Sequence, residues 1–129
     1  MTSQPGSLNA GPPKNICIAD DDAFFRTILK DILTSAGHNV LGVAEDGAAA
    51  VVMAKELKPE IFILDLVMPE MNGIEALREM KLMPTPPKVI LCTTIKGEKV
   101  LAEAKAAGID GYVKKPFNEE EILGTIAGL

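Results

Sequence analysis

The chain has one histidine, two cysteines and fewer basic than acidic side chains, 13 against 18. Each shortage excludes something. A net charge of −5 lacks the basic footprint that DNA or RNA binding requires. His38 has no cysteine beside it, which removes a zinc site, and after Gly37 it reads as a surface turn residue. Cys17 and Cys92 make no disulfide framework. Each falls in an apolar run expected to be a strand. The two strands are not expected to be neighbours, and next-nearest strands lie about 10 Å apart, beyond disulfide reach. No apolar run approaches the roughly 20 residues of a membrane helix. The N-terminus has neither the basic region nor the apolar stretch of a signal peptide. These absences lead to the expectation of a reduced, cytoplasmic protein.

What is present is ordinary globular composition: 47% hydrophobic and 24% charged residues over 129 positions, enough for one domain with a core. Residues 1–14 hold three prolines and two glycines among polar side chains and read as a mobile tail. From there short apolar runs alternate with helical periodicity. Strands are expected at 16–19, 40–44, 61–66, 89–92 and 111–113. Between them lie helices whose apolar faces are Phe24, Phe25, Ile28, Leu29, Ile32 and Leu33; then Val51, Val52 and Leu57; then Ile74, Leu77 and Met80. Val100, Leu101 and Ala104 mark the fourth, and Ile122, Leu123 and Ile126 the fifth. Asp46 is placed to cap the second helix, Gly108 to end the fourth, and Asn118 with Glu121 resembles a capping box for the fifth. Five strands alternating with five helices demand a parallel sheet covered on both faces.

The chemistry gathers at one edge. The 61–66 run ends in Asp65, followed by Val67-Met68-Pro69 and the turn pair Asn72-Gly73. Asp20, Asp21 and Asp22 follow the first strand, Thr93 the fourth and Lys115 the fifth. In an open α/β sheet the carboxyl edge is where ligands bind. Each residue also has a plain structural use: Asp22 as a helix N-cap, Thr93 as a β-branched strand residue, Lys114 and Lys115 as solvated charges. The adjacent carboxylates Asp20 and Asp21 are harder to account for, since near a third they repel unless a cation intervenes. Hard oxygen ligands suit Mg²⁺.

The pattern Ala19-Asp20-Asp21, then Asp65-Leu66-Val67-Met68-Pro69-Glu70-Met71-Asn72-Gly73, then Thr93, then Lys115-Pro116-Phe117 resembles a response-regulator receiver domain, particularly the CheY-like chemotaxis members. The resemblance runs from Asn15 to about Ala127, within an expected domain of residues 15–129, and implies a flavodoxin-like (βα)5 doubly wound five-stranded sheet of order 2-1-3-4-5. It further implies that Asp65 accepts a phosphoryl group and that Asp21 and Asp65 ligate Mg²⁺ (with Mn²⁺ as a substitute). The Val67 backbone carbonyl completes that set, and Asp20 acts mainly through water. Lys115 would neutralise phosphoryl oxygens, Thr93 would bond one of them, and Tyr112 would move inward with Thr93. Lys115–Pro116 would be a cis peptide. The implied partners are a histidine kinase or histidine phosphotransfer protein, and a downstream protein docking on the face made by the fourth helix, fifth strand and fifth helix. A mostly monomeric protein without nucleic-acid contact, membrane association or an output domain of its own is expected.

Two positions depart from the usual pattern. Val67 is apolar and offers only its carbonyl, and Thr94 is bulkier than the residue frequent there. Rival classes fit less well. A scaffold that lost the chemistry is at odds with the complete Asp20, Asp21, Asp65, Thr93 and Lys115 set. A flavin carrier would prefer a hydroxyl- and glycine-rich loop after the first strand. An aspartate-based phosphatase would need a carboxylate where Val67 stands.

Overall fold

The computed structural model describes residues 11–129, so the expected N-terminal tail falls, up to position 10, outside the described residues. The elements run β1 (Asn15–Ala19), α1 (Ala23–Ser35), β2 (Asn39–Ala44), α2 (Gly47–Leu57), β3 (Ile61–Leu64), α3 (Gly73–Lys81), β4 (Lys88–Thr93), α4 (Glu98–Ala107), β5 (Gly111–Lys114) and α5 (Glu119–Ala127). All strand pairings are parallel, in the order β2-β1-β3-β4-β5. This is the flavodoxin-like arrangement. The order reverses between β1 and β3, so the crevice at their carboxyl ends is the topological switch point.

Strand alternation divides the core into two layers. Ile16 and Ile18 of β1, Ile61 and Ile63 of β3, and Ile90 and Cys92 of β4 face α1 and α5, meeting Leu29, Leu33, Ile122 and Ile126. Cys17, Phe62, Leu64, Val89 and Leu91 face the other way, against Ala50, Ala54, Ile74, Leu77, Met80 and Ala104 of α2, α3 and α4. The two cysteines therefore lie on opposite faces of the sheet. Burial pushes the Cys17 thiol up to about 11 and the Cys92 thiol up to about 12, so neither supplies thiolate at neutral pH.

Helix boundaries follow local chemistry. Asp22, Asp46, Asn72 and Asn118 each accept a backbone N–H at a helix start, and both asparagines form complete capping boxes with Glu75 and Glu121. Helix α4 begins at Gly97 without a side-chain cap and ends at left-handed Gly108. Two glycines are demanded by close approach. A Cβ on Gly73 would collide with the Asp65 carbonyl, and one on Gly47 with that of Met71. The starts of α2 and α3 are thereby pressed against the loop that follows β3.

Several side chains are placed differently from the sequence expectation. Phe24 and Ile28 are exposed, because six apolar residues on α1 span more than the one stripe that Leu29 and Leu33 bury. Val52 and Leu57 are also exposed. Helix α2 packs through Gly47, Ala50, Val51 and Ala54, whose small size lets it lie close. In β2, Ile16 pairs Val40 and Cys17 pairs Gly42, which leaves Leu41 over as a bulge. His38 is the clearest correction. It is 3% exposed rather than a surface residue, because the chain entering β1 runs across it: its Nδ1 accepts the Lys14 N–H at 3.0 Å, and Lys14 in turn accepts from the Asn39 N–H. Burial, followed by the nearby Lys14 charge, holds its pKa below the usual histidine value.

At the amino edge of the sheet, Asp110 ties three elements together. Its Oδ2 accepts from Lys81 Nζ at 2.7 Å and from the Val89 N–H at 2.8 Å. Burial alone would raise its pKa, but those two bonds and the Lys81 charge outweigh it, and the carboxyl stays below its ordinary value. A depressed carboxyl pKa stabilises the fold above the unfolded value of 3.8, and that contribution is lost as pH falls through the folded value. Asp110→Ala is expected to cost about 2 kcal/mol by urea denaturation at neutral pH, the scale of losing charge-assisted hydrogen bonds. The difference from wild type is expected to shrink in acid.

Candidate functional site at the carboxyl edge of the sheet

Asp20 leaves β1 at the switch point with its backbone still in the sheet, donating its N–H to the Ala44 carbonyl at 3.1 Å. Its side chain is committed on both oxygens: Oδ1 accepts from the Asp22 N–H at 2.9 Å, and Oδ2 accepts from Lys115 Nζ at 2.6 Å. Arg26, from the second turn of α1, donates Nη1 to the Asp20 carbonyl at 2.7 Å and lies 3.6 Å from Glu45. The sequence reading missed this brace. An arginine six residues after an acidic turn, on the inward side of a helix, was its one signal.

Asp65 leaves β3 in the same way, donating its N–H to the Ala19 carbonyl at 2.9 Å. The chain then turns tightly: the Met71 N–H donates to the Pro69 carbonyl at 2.8 Å across Glu70, whose φ of 69° is in the left-handed region. A non-glycine residue held there is a strained position of the kind that gathers at functional loops. The Gly73 N–H closes the loop on the Leu66 carbonyl at 2.8 Å. Val67 is exposed beside the site.

The ligand atoms of Asp20, Asp21 and Asp65 all lie within 4.8 Å of one another. Asp20 and Asp65 are 2% and 8% exposed, whereas Asp21 is open to solvent. Lys115 Nζ reaches Asp65 Oδ2 at 3.4 Å in addition to Asp20. Lys115–Pro116 is cis, as the resemblance implied. One ammonium thus pairs with two members of a group of three carboxylates. A compact set of hard oxygen donors, one member open to water, fits a divalent cation such as Mg²⁺, which takes few carboxylates and keeps several waters.

Burial and charge act against each other at both Asp65 and Lys115. Burial raises the Asp65 pKa. Lys115 pulls it down and the Asp20 charge pushes it up again, and the net shift is upward. Burial would lower the Lys115 pKa, but its bond to Asp20 and the Asp65 charge hold it above the ordinary lysine value.

Thr93 is buried at the end of β4, its Oγ1 accepting from the Ile95 N–H at 3.2 Å. Tyr112 of β5 is half-buried and donates its hydroxyl to the Ile95 carbonyl at 2.7 Å. One residue of the β4–α4 loop therefore links the two. Lys114 and Thr94 are exposed. Among the residues singled out from sequence, the fold brings together Asp20, Asp21, Asp65 and Lys115, with Thr93 beside them and Tyr112 one hydrogen-bonded step further out.

A carboxyl pKa raised on folding means that the ionised form of Asp65 costs stability. Its contribution is favourable below the unfolded value of 3.8 and is lost as pH rises through the folded value. Asp65→Asn is therefore expected to raise Tm at neutral pH by roughly 4 °C, the effect of about 1 kcal/mol in a domain of this size. The gain is expected to vanish below about pH 3.8 in scanning calorimetry, where both side chains are neutral.

Comparison with known proteins agrees with this geometry. The family model "Response regulator receiver domain" matches residues 16–127. The chain is 42% identical to the chemotaxis protein CheY of Thermotoga maritima, over 85% of this chain and 92% of that one. It is 39% identical to CheY of Bacillus subtilis, over 86% and 92%. Among solved structures, the CheX–CheY–BeF3–Mg²⁺ complex of Borrelia burgdorferi superposes with a TM-score of 0.88 at 28% identity, covering 98% of this chain and 97% of that chain. The chain belongs to the response regulator receiver domains, the signalling family of two-component and chemotaxis systems, and is homologous to CheY.

Proposed function

We propose that residues 15–129 form a receiver that takes a phosphoryl group from a histidine kinase or histidine phosphotransfer protein onto Asp65 and passes the signal to a protein partner. The observation that carries this reading is the meeting of Asp65, Asp20, Asp21 and Lys115 at the switch point of the sheet. An Asp65 carboxylate oxygen attacks phosphorus, the bond from phosphorus to the donor's nitrogen breaks, and the nitrogen leaves with the electron pair. Such transfer needs positioning and charge neutralisation more than covalent help from the protein. Lys115 lies at hydrogen-bonding distance from Asp65 and so is near enough to meet the incoming phosphoryl oxygens. Asp21 and Asp65, with the Val67 carbonyl, would hold Mg²⁺ directly, and Asp20 would do so through water. When bound, the cation supplies further neutralisation of phosphoryl charge.

The switch follows from the Thr93–Ile95–Tyr112 connection. A phosphoryl group carries a charge of about −1.5 to −2 and three strong acceptors. In our reading, the Thr93 hydroxyl exchanges the Ile95 N–H for a phosphoryl oxygen, the β4–α4 loop shifts, and Tyr112 follows the Ile95 carbonyl it is bonded to. The two arrangements then differ in contacts with the phosphoryl group, as a two-state response requires. The α4–β5–α5 face, which carries Tyr112, is the proposed docking surface. CheX in the Borrelia burgdorferi complex is an example of a protein partner for a homologue.

Two measurements test this reading. Intact mass after incubation with a small-molecule phosphodonor and Mg²⁺ is expected to show one added phosphoryl group in wild type and none in Asp65→Asn; a gain that survives in the variant would reassign the nucleophile. Titration calorimetry is expected to show Mg²⁺ binding weakened at least about tenfold in Asp21→Asn, since losing one of few carboxylate ligands removes much of such a site. Unchanged affinity would remove Asp21 from the metal site.

A further inference from the structure

Lys115 has a third contact that the receiver reading does not use. Its Nζ lies 3.8 Å from the centroid of the Phe25 ring, from the first turn of α1. An ammonium has three N–H donors and no acceptor. Two of them are accounted for by Asp20 at 2.6 Å and Asp65 at 3.4 Å. The aromatic face supplies a partner for the remaining positive surface, one a carbonyl or water would otherwise have to provide. The ring is itself braced. Phe117, two residues beyond Lys115, meets Phe25 edge-on at 5.5 Å with the planes at 87°, a favourable aromatic geometry. The Lys115 side chain is only 13% exposed, so the contact is largely desolvated, where cation–π attraction is strongest.

We propose that Phe25 is a positioning residue: its ring, backed by Phe117, forms a cation–π seat that holds the Lys115 ammonium over the Asp20–Asp65 pair. The inference rests on the reading of Asp65 as phosphoacceptor and deepens it by adding a residue that never touches the phosphoryl group. A long lysine side chain has considerable rotamer freedom to lose, and a seat that restricts it beforehand lowers the cost of meeting the phosphoryl group. The seat also explains a difference along α1. Phe24 is 73% exposed, whereas its neighbour Phe25 is turned inward.

The test separates the ring's electronics from its shape. Rates of Asp65 phosphorylation by a small-molecule phosphodonor with Mg²⁺ are measured by intact mass for wild type, Phe25→Leu, Phe25→Tyr and a protein carrying 3,4,5-trifluorophenylalanine at position 25. The fluorinated ring keeps nearly the same shape but drains negative charge from its face. Phe25→Leu is expected to slow phosphorylation roughly tenfold, the fluorinated ring to produce most of that loss, and Phe25→Tyr to stay near wild type. In a Lys115→Ala background, Phe25→Leu is expected to change the rate less than twofold, because the two act as a unit. A fluorinated protein as fast as wild type, or a Phe25→Leu effect undiminished without Lys115, would overturn the proposal. Independently of activity, the Lys115 ε-methylene protons are expected to be shifted upfield by the ring current in wild type and to return to ordinary values in Phe25→Leu. Ordinary values in wild type would contradict the seat. Wild type that takes up no phosphoryl group would instead overturn the phosphoacceptor reading.

Discussion

The site depends on one half-buried ammonium shared between two carboxylates. Lys115 directly follows the last strand, Asp20 the first and Asp65 the third, and the two contacts of Lys115 reach back 95 and 50 residues along the chain. They exist only because a parallel sheet brings all strand carboxyl ends to one edge. One lysine does not balance three acids, and burial adds to the cost of keeping Asp65 ionised. Asp65 is harder to ionise than an ordinary aspartate, Asp20 has both oxygens occupied, and Asp21 faces water with its carboxylate within reach of the others. Such an arrangement gives up stability to keep three carboxylates together at one edge, as the proposed phosphoacceptor role would require.

From that edge to the surface the structure offers a short physical route. Thr93 and Tyr112 both bond to Ile95, one to its N–H and the other to its carbonyl. The helix beyond, α4, is the one whose start lacks a side-chain cap, and Ala104 is its one fully buried residue. Four other helices begin on an aspartate or asparagine that accepts a backbone N–H. Weak anchoring there is what the proposed switch would require of a segment that rearranges. Stiff elements sit where the acids must be held: α1 is capped by Asp22 and braced to Asp20 through Arg26, and α3 is pressed on the Asp65 carbonyl at Gly73.

Much of this was legible in the sequence because it is periodic or local. Alternation of apolar runs and helical stripes gave the two-layered parallel sheet, and the capping residues Asp46 and Asn118 were read correctly from spacing alone. The acidic residues at strand ends, Thr93 and Lys115 pointed to one edge. What stayed hidden depends on contacts between distant segments. Nothing local in the sequence tells Phe24, exposed, from Phe25, seated against Lys115, since the distinction lies in the direction from which the fifth strand arrives. His38 looked like a turn residue because the segment covering it lies 24 positions earlier. Val52 and Leu57 look like core by hydrophobicity, but the small residues Ala50 and Ala54 bring α2 closer to the sheet and become the core instead. The Lys81–Asp110 pair gave no signal beyond two opposite charges far apart in the chain.

The central claim is that Asp65 is coupled through Thr93 and Ile95 to Tyr112. It is tested most directly by recording amide and side-chain NMR spectra before and after adding beryllofluoride with Mg²⁺, in wild type and in Thr93→Ala. The expected result in wild type is a set of shift changes that begins at Asp65 and extends through Ile95 to Tyr112 and the start of α4. In Thr93→Ala the changes at Asp65 are expected to persist while those at Tyr112 are lost. Changes confined to the Asp20–Asp65 edge in wild type, or a Tyr112 response that survives without the Thr93 hydroxyl, would contradict it.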